Sequence, residues 1–346
     1  MSITPIQSPL TPQVATPVTP VRPVIPVTPP AAPSIEINSG QVQAQVLAQA
    51  TQEAAGRQGG LAPLVADLTQ AARNPNLPGT VRSAAAQVLA QAAPADARLT
   101  GPDVAKALSG SGLFLEARLA AQPQASPLGQ DMKAGLLVLR QALSAWLAGA
   151  PRSPDARGPA RTPPPPYRAG GARAQPSATP SLPADAAPSA IGQRLLAQTE
   201  AAVARQELLQ IASLPAGEDQ PVEAQVTRWM FEMPFTTPQG AAVAQFEIAR
   251  DGRGARSEAA EPIWRVGFSI DIEPLGPVHA RVSLNGRHAT VGIWAERPSA
   301  LERLQGDRDL LGQALARADF EAEIALHPGA PRIVEAPSGQ LVDQVS

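Results

Sequence analysis

The sequence predicts an α+β protein: a disordered Pro-rich N-terminus, a small helical region, a Pro-rich linker, and a compact C-terminal antiparallel sheet with one packed helix. Three observations predict it. Proline is clustered, with 39 in 346 residues, ten of them in residues 1–33 and eleven in 150–188. Apolar residues recur with a period near 3.6 up to residue 213, and with a period of two from residue 222. Three of the four Trp and five of the six Phe lie between Trp229 and Phe320, so the bulky core belongs near the C-terminal end.

Residues 1–39 are expected to be a disordered Pro/Thr-rich tail. Proline fixes φ and lacks an N–H donor, so Val18-Thr19-Pro20-Val21-Arg22-Pro23 and its neighbours read as solvated polyproline II or coil. A segment of this kind suits an export signal that must stay unfolded. Residues 40–149 read as helical. Leu61, Leu64, Val65, Leu68 and Ala72 make one stripe. Asn74-Pro-Asn-Leu-Pro78 ends that helix, and a second begins at Gly79 with Val81, Ala85, Val88 and Leu89 on one side. Thr100 is an N-cap with Pro102 and Asp103 in the first turn. Ser109-Gly-Ser-Gly112 interrupts, Leu113–Leu119 resumes, and Asp131 opens a helix bearing Leu136, Leu139, Leu143, Trp146 and Leu147. With 66 Ala in the chain and few aromatics here, this bundle should be marginally stable, because a methyl group buries little area. Residues 150–188, including Pro163-Pro-Pro-Pro166, read as a linker. Residues 189–213 form one more helix.

The C-terminal domain is placed at 222–333, with a flexible tail at 334–346. Trp229, Phe231, Met233 and Phe235 alternate with Arg228, Met230, Glu232 and Pro234. Phe246 and Ile248 alternate with Gln245 and Glu247, and Trp264, Val266, Phe268, Ile270 and Ile272 alternate with Arg265, Gly267, Ser269 and Asp271. Such patterns predict half-buried antiparallel strands. The loop Asp251–Glu261 should be mobile. Asn285-Gly286 signals a hairpin, and a two-residue loop there pairs Leu284 with Arg287, Val282 with Ala289, Ala280 with Val291 and Val278 with Ile293. The other face then carries His279, Arg281, Ser283, His288 and Thr290 to solvent. A helix with Leu301, Leu304, Leu311, Leu315 and Ala318 on one side follows. Arg308 falls in that stripe and must reach solvent or a partner. Phe320, Ala322, Ile324 and Leu326 make a last strand.

Net charge is −2 and the isoelectric point about 6.0, which excludes a strongly basic nucleic-acid or polybasic membrane binder. The chain has no Cys, hence no disulfide, thiolate nucleophile or Cys-ligated metal. No apolar run is long enough to span a bilayer, and no insertion into a membrane is expected. The first residues lack the positive and apolar regions of a secretory signal. His279, His288 and His327 are the three histidines. The first two, four pairs apart on the expected hairpin, stand roughly 13–14 Å from each other, too far to share one metal ion. Phosphate-loop and nucleophile-elbow motifs are absent. No catalytic residue, metal ligand or cofactor is assigned, and the chain is not expected to be an enzyme.

The segment Trp264-Arg-Val-Gly-Phe-Ser-Ile-Asp-Ile-Glu-Pro-Leu-Gly-Pro-Val278, then Val282-Ser-Leu-Asn-Gly286 and Val291-Gly-Ile-Trp-Ala-Glu296, resembles the C-terminal domain of bacterial flagellar hook-length control proteins. The helix from Leu301 to Leu315 and its end at Ala318-Asp-Phe320 fit the same resemblance, as do Leu108–Leu119 and Asp131–Leu136 further upstream. Many members carry His-Pro before the Leu-Gly corner; here it is Glu273-Pro274-Leu275-Gly276. The resemblance implies a non-enzymatic protein exported through the flagellar type III apparatus, cytoplasmic first and then outside the cell. Its C-terminal domain would engage the cytoplasmic domain of the export-gate switch protein, turning export from hook to filament subunits. Its N-terminal part would touch hook and hook-cap subunits.

Lack of cysteine and an Ala-rich helical region suit a chain that must unfold for threading. Residues 1–220, fully extended, reach at most roughly 730–790 Å. Leu275, Gly276 and Pro277, with Leu301, Leu304 and Arg308, are the candidate partner-binding residues of a monomer. Two alternatives share these features: a needle-length regulator of a non-flagellar injection apparatus, and a cytoplasmic adaptor that uses its Pro-rich segments as ligands.

Overall fold

A computed structural model describes residues 39–95, 99–121, 130–150, 162–168, 170–183, 185–215, 226–251 and 262–332. The tail expected at 1–39 falls outside the described residues except for Ser39, as do the loop after Asp251, residues 151–161 of the linker and the tail at 334–346. From Gly40 on, the described residues form one compact unit.

Helices α1 (Ser39–Arg57), α2 (Leu61–Ala71) and α3 (Gly79–Leu89) lead to a two-residue strand β1 (Ala93–Pro94), then α4 (Gly101–Ser109), α5 (Leu115–Ala121), α6 (Met132–Trp146) and α7 (Pro188–Ser213). Strands β2 (Thr227–Thr237), β3 (Gly240–Arg250), β4 (Trp264–Ile272), β5 (Gly276–Asn285) and β6 (His288–Ala295) follow, then α8 (Pro298–Gly306), α9 (Arg308–Arg317) and β7 (Glu321–Pro328). The helix starts obey local chemistry. Thr100 and Asp103 form a capping box on α4, with the Thr100 N–H donating to Asp103 Oδ2 at 2.9 Å. Asp131 Oδ1 accepts the Ala134 N–H at 3.0 Å at the start of α6. Helix α9 ends on Asp319 with φ 64°, while the N–H groups of Phe320 and Asp319 return to the carbonyls of Leu315 and Ala316, both at 3.0 Å. That is a Schellman motif in which aspartate takes the left-handed position.

Leu61, Leu64, Leu68, Leu136, Leu139, Leu143 and Leu195 fill the core between α2, α3, α6 and α7, and Ala241 and Val243 of β3 belong to that same core. Fully burying each leucine contributes about 1.5–3 kcal/mol before entropy is subtracted. The helices therefore compensate for scarce aromatics with leucine, and with one face of the sheet.

The strands lie in the order β1-β2-β3-β4-β5-β6-β7. Pairs β2–β3 through β5–β6 are antiparallel; β1–β2 and β6–β7 are parallel. The parallel β7 follows from α8 and α9, which carry the chain back to the start of β6 before it turns. The single helix expected after β6 is broken at Asp307 into two.

The β5–β6 register differs from the expected one. Asn285 faces His288, Leu284 faces Ala289 and Val278 faces Ala295, so the two loop residues are Gly286 and Arg287. Gly286 has φ 57° and Arg287 is not in the positive region, which is the type II′ pattern with glycine first. The first strand gains Asn285 and the second gives up Arg287, so partners shift by two and every side chain keeps its expected face.

Two further expectations are corrected. Strands β2 and β3 are buried on both faces: Phe231, Met233 and Phe235 pack with α4, while Met230 packs with Leu209 and Ala212 of α7. The polar members of their alternation, Glu232 and Gln245, are buried at 3% and 2% exposure. Nor is His279 solvated, at 5% exposure. Its partner Ser269 in turn bonds to Ala172, in the stretch that composition marks as a linker. Residues 162–168 and 170–183 run as an extended strap against the turn between α1 and α2, against α2, α7 and the sheet, and bury Pro163, Pro166, Ala172, Gln175 and Leu182.

Candidate docking surface

Side chains alternate across the sheet, and its two faces differ in chemistry. One face is apolar from β2 to β7: Trp229, Phe231 and Phe235, then Phe246 and Ile248, then Trp264 to Ile272, Val278 to Leu284, Ala289 to Ala295, and Ile324. Helix α4 covers its β2–β3 end. Helices α8 and α9 cover the β6–β7 end, where Ala300 and Ile324 are buried. Between them lies a half-buried strip of Ile248, Val266, Phe268, Ile270, Val282 and Ile293, with Trp229 stacked on Trp264 at 6.3 Å.

The opposite face is polar from β4 to β7. Here Trp294 lies flat over Gly292, where an added Cβ would sit 2.6 Å from the ring. Arg281 is 5.7 Å from the Trp294 ring on one side, and the His327 ring stacks at 5.0 Å on the other. His279 Nδ1 contacts Ser269 Oγ at 2.7 Å, and Nε2 contacts Glu296 at 3.1 Å. Serine, histidine and glutamate in a row invite comparison with a hydrolytic triad. Ser269 is 1% exposed, however, and its hydroxyl donates to the Ala172 carbonyl of the strap at 2.8 Å. That hydrogen bond occupies the proton a general base would remove, so the row serves to hold the strap. Among the described residues, no group of three or more His, Asp or Glu could hold a metal ion, and no helix is long and apolar enough to cross a membrane.

The structure builds the β4–β5 corner around a residue that the sequence did not single out. Arg297 donates to both carboxylate oxygens of Glu273, at 2.6 and 2.7 Å, and to the Pro274 carbonyl at 3.1 Å. This bidentate grip holds the Glu273 carboxyl below its ordinary range and pushes the Arg297 guanidinium further up. Neighbouring Asp271 moves the other way, raised first by burial and then by the Glu273 charge. Gly276 has φ 69°, and a Cβ there would lie 2.3 Å from Arg297 Nε, so only glycine lets the clamp close over the corner.

Of the six candidate residues, Gly276 is buried beneath that clamp and Leu275 and Pro277 flank it half-buried. Arg297 is also the N-cap of α8, so it joins the corner to the helix bearing Leu301 and Leu304, both half-buried. Arg308 stands apart, at the start of α9, and donates to the Ile324 carbonyl at 2.9 Å. Its partner is β7 of its own chain. Glu273 and Arg297 are 24 residues apart, and nothing local in the sequence pairs them. The Trp294 platform did leave a signal, since Gly292 and Trp294 are two apart and share a strand face.

Residues 252–329, which include β4 to β7, match the model of the family described as flagellar hook-length control protein FliK. No curated protein and no solved structure matches the chain. The matched residues hold the Glu273–Arg297 corner, α8, α9 and the polar platform, and lie beyond β2 and β3. On that match, residues 252–329 of this chain are similar to the flagellar hook-length control domain.

Proposed function

We propose that this protein controls flagellar hook length as an exported, non-enzymatic regulator. Its C-terminal domain docks on the cytoplasmic domain of the export-gate protein and turns type III export from hook to filament subunits. The N-terminal part meets hook and hook-cap subunits as the chain passes outward. The family match over 252–329 carries this reading. The clamped corner supports it, because a docking surface needs fixed geometry. We place the contact at Leu275 and Pro277 together with the first turns of α8 around Leu301 and Leu304. Gly276 supplies the corner's shape, and Arg308 braces α9 on β7.

Deleting residues 222–346 tests the reading. Abnormally long hooks with few filaments are expected, and normal filaments would overturn it. Arg297→Ala in the full-length protein is the finer test: it should lengthen hooks while the protein still accumulates outside cells that have an intact flagellar export gate.

A further inference from the structure

The strap is the feature that hook-length control leaves unused. The rest of the protein bonds it group by group, mostly through its backbone. Gln58 donates to the Pro163 carbonyl at 2.7 Å, and Arg205 to the Pro164 carbonyl at 3.2 Å. Ser269 donates to the Ala172 carbonyl at 2.8 Å, and the Arg173 N–H donates to Gln245 Oε1 at 2.8 Å. Gln175 donates to Glu232 at 2.5 Å. Ala178 and Ala241 exchange two backbone hydrogen bonds of 2.8 Å each. That last pair sits where the β4-side edge of β3 has no strand neighbour, because its pairing with β4 ends at Gln245 and Ser269 while β2 covers the other edge. Asp67 then accepts the Ser181 N–H at 2.6 Å.

The receiving groups meet the strap out of water. With the strap in place Glu232, Gln245 and Ser269 are each at most 3% exposed, and a hydrogen bond shielded from water is electrostatically stronger than an exposed one. Gly240, with φ 148°, leaves room for the strap: a Cβ there would sit 2.1 Å from the Ala178 carbonyl. The demands on the occupant are equally specific. At Pro163 and Pro164 only carbonyls are used, which proline can offer, and a polyproline II segment gives them at low entropic cost. At 172 the side chain must be small, since Ala172 is buried. At 173 and 178 an N–H is needed, and at 175 an amide donor.

We propose that this track, from Gln58 and Arg205 across Gln245 and Ser269 to Ala241, is a binding site for an extended Pro-rich peptide segment. It is filled in cis by residues 162–168 and 170–183 and opens to such a segment of a partner protein when the strap is displaced. Covalent tethering gives the strap an effective concentration in the millimolar range, so a partner enters only when the strap has been pulled away or weakened. This inference does not depend on hook-length control.

The test uses the full chain and a fluorescein-labelled peptide of residues 162–183, read by polarisation. The chain has no Cys, so Ala178→Cys with Ala241→Cys introduces one disulfide. Paired residues that exchange hydrogen bonds lie about 5.5 Å apart at Cα, within disulfide reach. The reduced form should bind peptide with half-saturation in the millimolar range, and the oxidised form should not bind. A second variant, Ala172→Glu in the chain's own strap, leaves the track intact and should tighten peptide binding at least tenfold. The same substitution in the peptide should abolish its binding. Equal binding to oxidised and reduced forms, or none to either, overturns the proposal. So does an Ala172→Glu chain that keeps its circular dichroism yet binds no more tightly. If that variant unfolds, the oxidised and reduced pair decides alone.

Discussion

Strands β2 and β3 and strands β5 to β7 belong to one sheet and carry the same alternation, yet they live in different environments. In β2–β3 both faces are covered, by α4 on one side and by α2, α7 and the strap on the other. In β5–β7 one face packs under α8 and α9, and the other presents Arg281, Thr290, Glu321 and Glu323 to water. Alternation of polar and apolar residues reports which side chains share a face. It does not report what lies over that face. Glu232 and Gln245 look like solvent-facing residues in the sequence, and in the fold they are interior hydrogen-bonding groups. The family match covers β4–β7 and stops short of β2–β3, so the matched domain rests against a half-sheet that the rest of the chain holds in place.

The largest expected difference between the two halves concerns charge. Arg205 and Glu232 form a buried ion pair at 2.6 Å, with side chains 2% and 0% exposed. Arg205→Ala strands Glu232 and should cost about 3–5 kcal/mol in urea unfolding. Replacing both residues with methionine should cost much less, because no charge is left unpaired. Arg281→Ala on the open half should cost under about 1 kcal/mol. Equal losses at the two arginines would break the comparison.

Apolar truncation sharpens it next. Phe231 is fully buried and stacks on Phe246 at 4.9 Å, and Phe246 meets Phe268 at 5.6 Å. Phe231→Ala should lose about 3–5 kcal/mol. Phe268→Ala, on the half-buried strip, should lose clearly less by the same measurement. Gly240→Ala comes third, at about 1–3 kcal/mol, from its left-handed φ and the Ala178 carbonyl above it. Faster amide exchange at Ala178 and Ala241 would identify the loss with the strap.

The smallest effect is a pH dependence of the corner. Glu273 is held ionised by Arg297, so its stabilisation is full above the ordinary carboxylate range and is lost as pH falls through its lowered value. Asp271 is raised by burial, so its charged form strains the fold, and acid relieves that strain. Glu273→Gln should remove the acid loss, and Asp271→Asn should deepen the net loss. Urea midpoints between pH 3 and pH 6 measure both.

Much of this architecture was legible in the residues. The stripe of Leu61, Leu64, Val65 and Leu68 placed α2, Thr100 and Asp131 placed two helix starts, and the alternation from Trp229 to Ile272 placed three strands. The turn at Gly286 was found, but its register slipped because Asn-Gly marks the bend without stating which residue leads it. The break at Asp307 was missed, since the apolar stripe continues across it. The strap was the furthest from view. Proline clusters signal the absence of helix and of ordinary strand, and a flexible linker and an anchored extended segment share that composition. What separates them is the set of receivers on the other side, Gln58, Asp67, Arg205, Gln245 and Ser269, spread over more than 200 residues of sequence. The corner failed for a similar reason: the Leu-Gly motif was visible, and its distant clamp Arg297 was not.

Amide hydrogen exchange on the full-length protein, followed residue by residue, tests most directly whether the family-matched segment is built onto a half-sheet clamped by the rest of the chain. The strap amides at Arg173 and Ala178 should exchange together with those of β3, through the slowest opening of the molecule, while β5 to β7 and α9 open faster. Strap amides that exchange within seconds while β3 stays protected, or a β5–β7 segment that outlasts β2–β3, would contradict it.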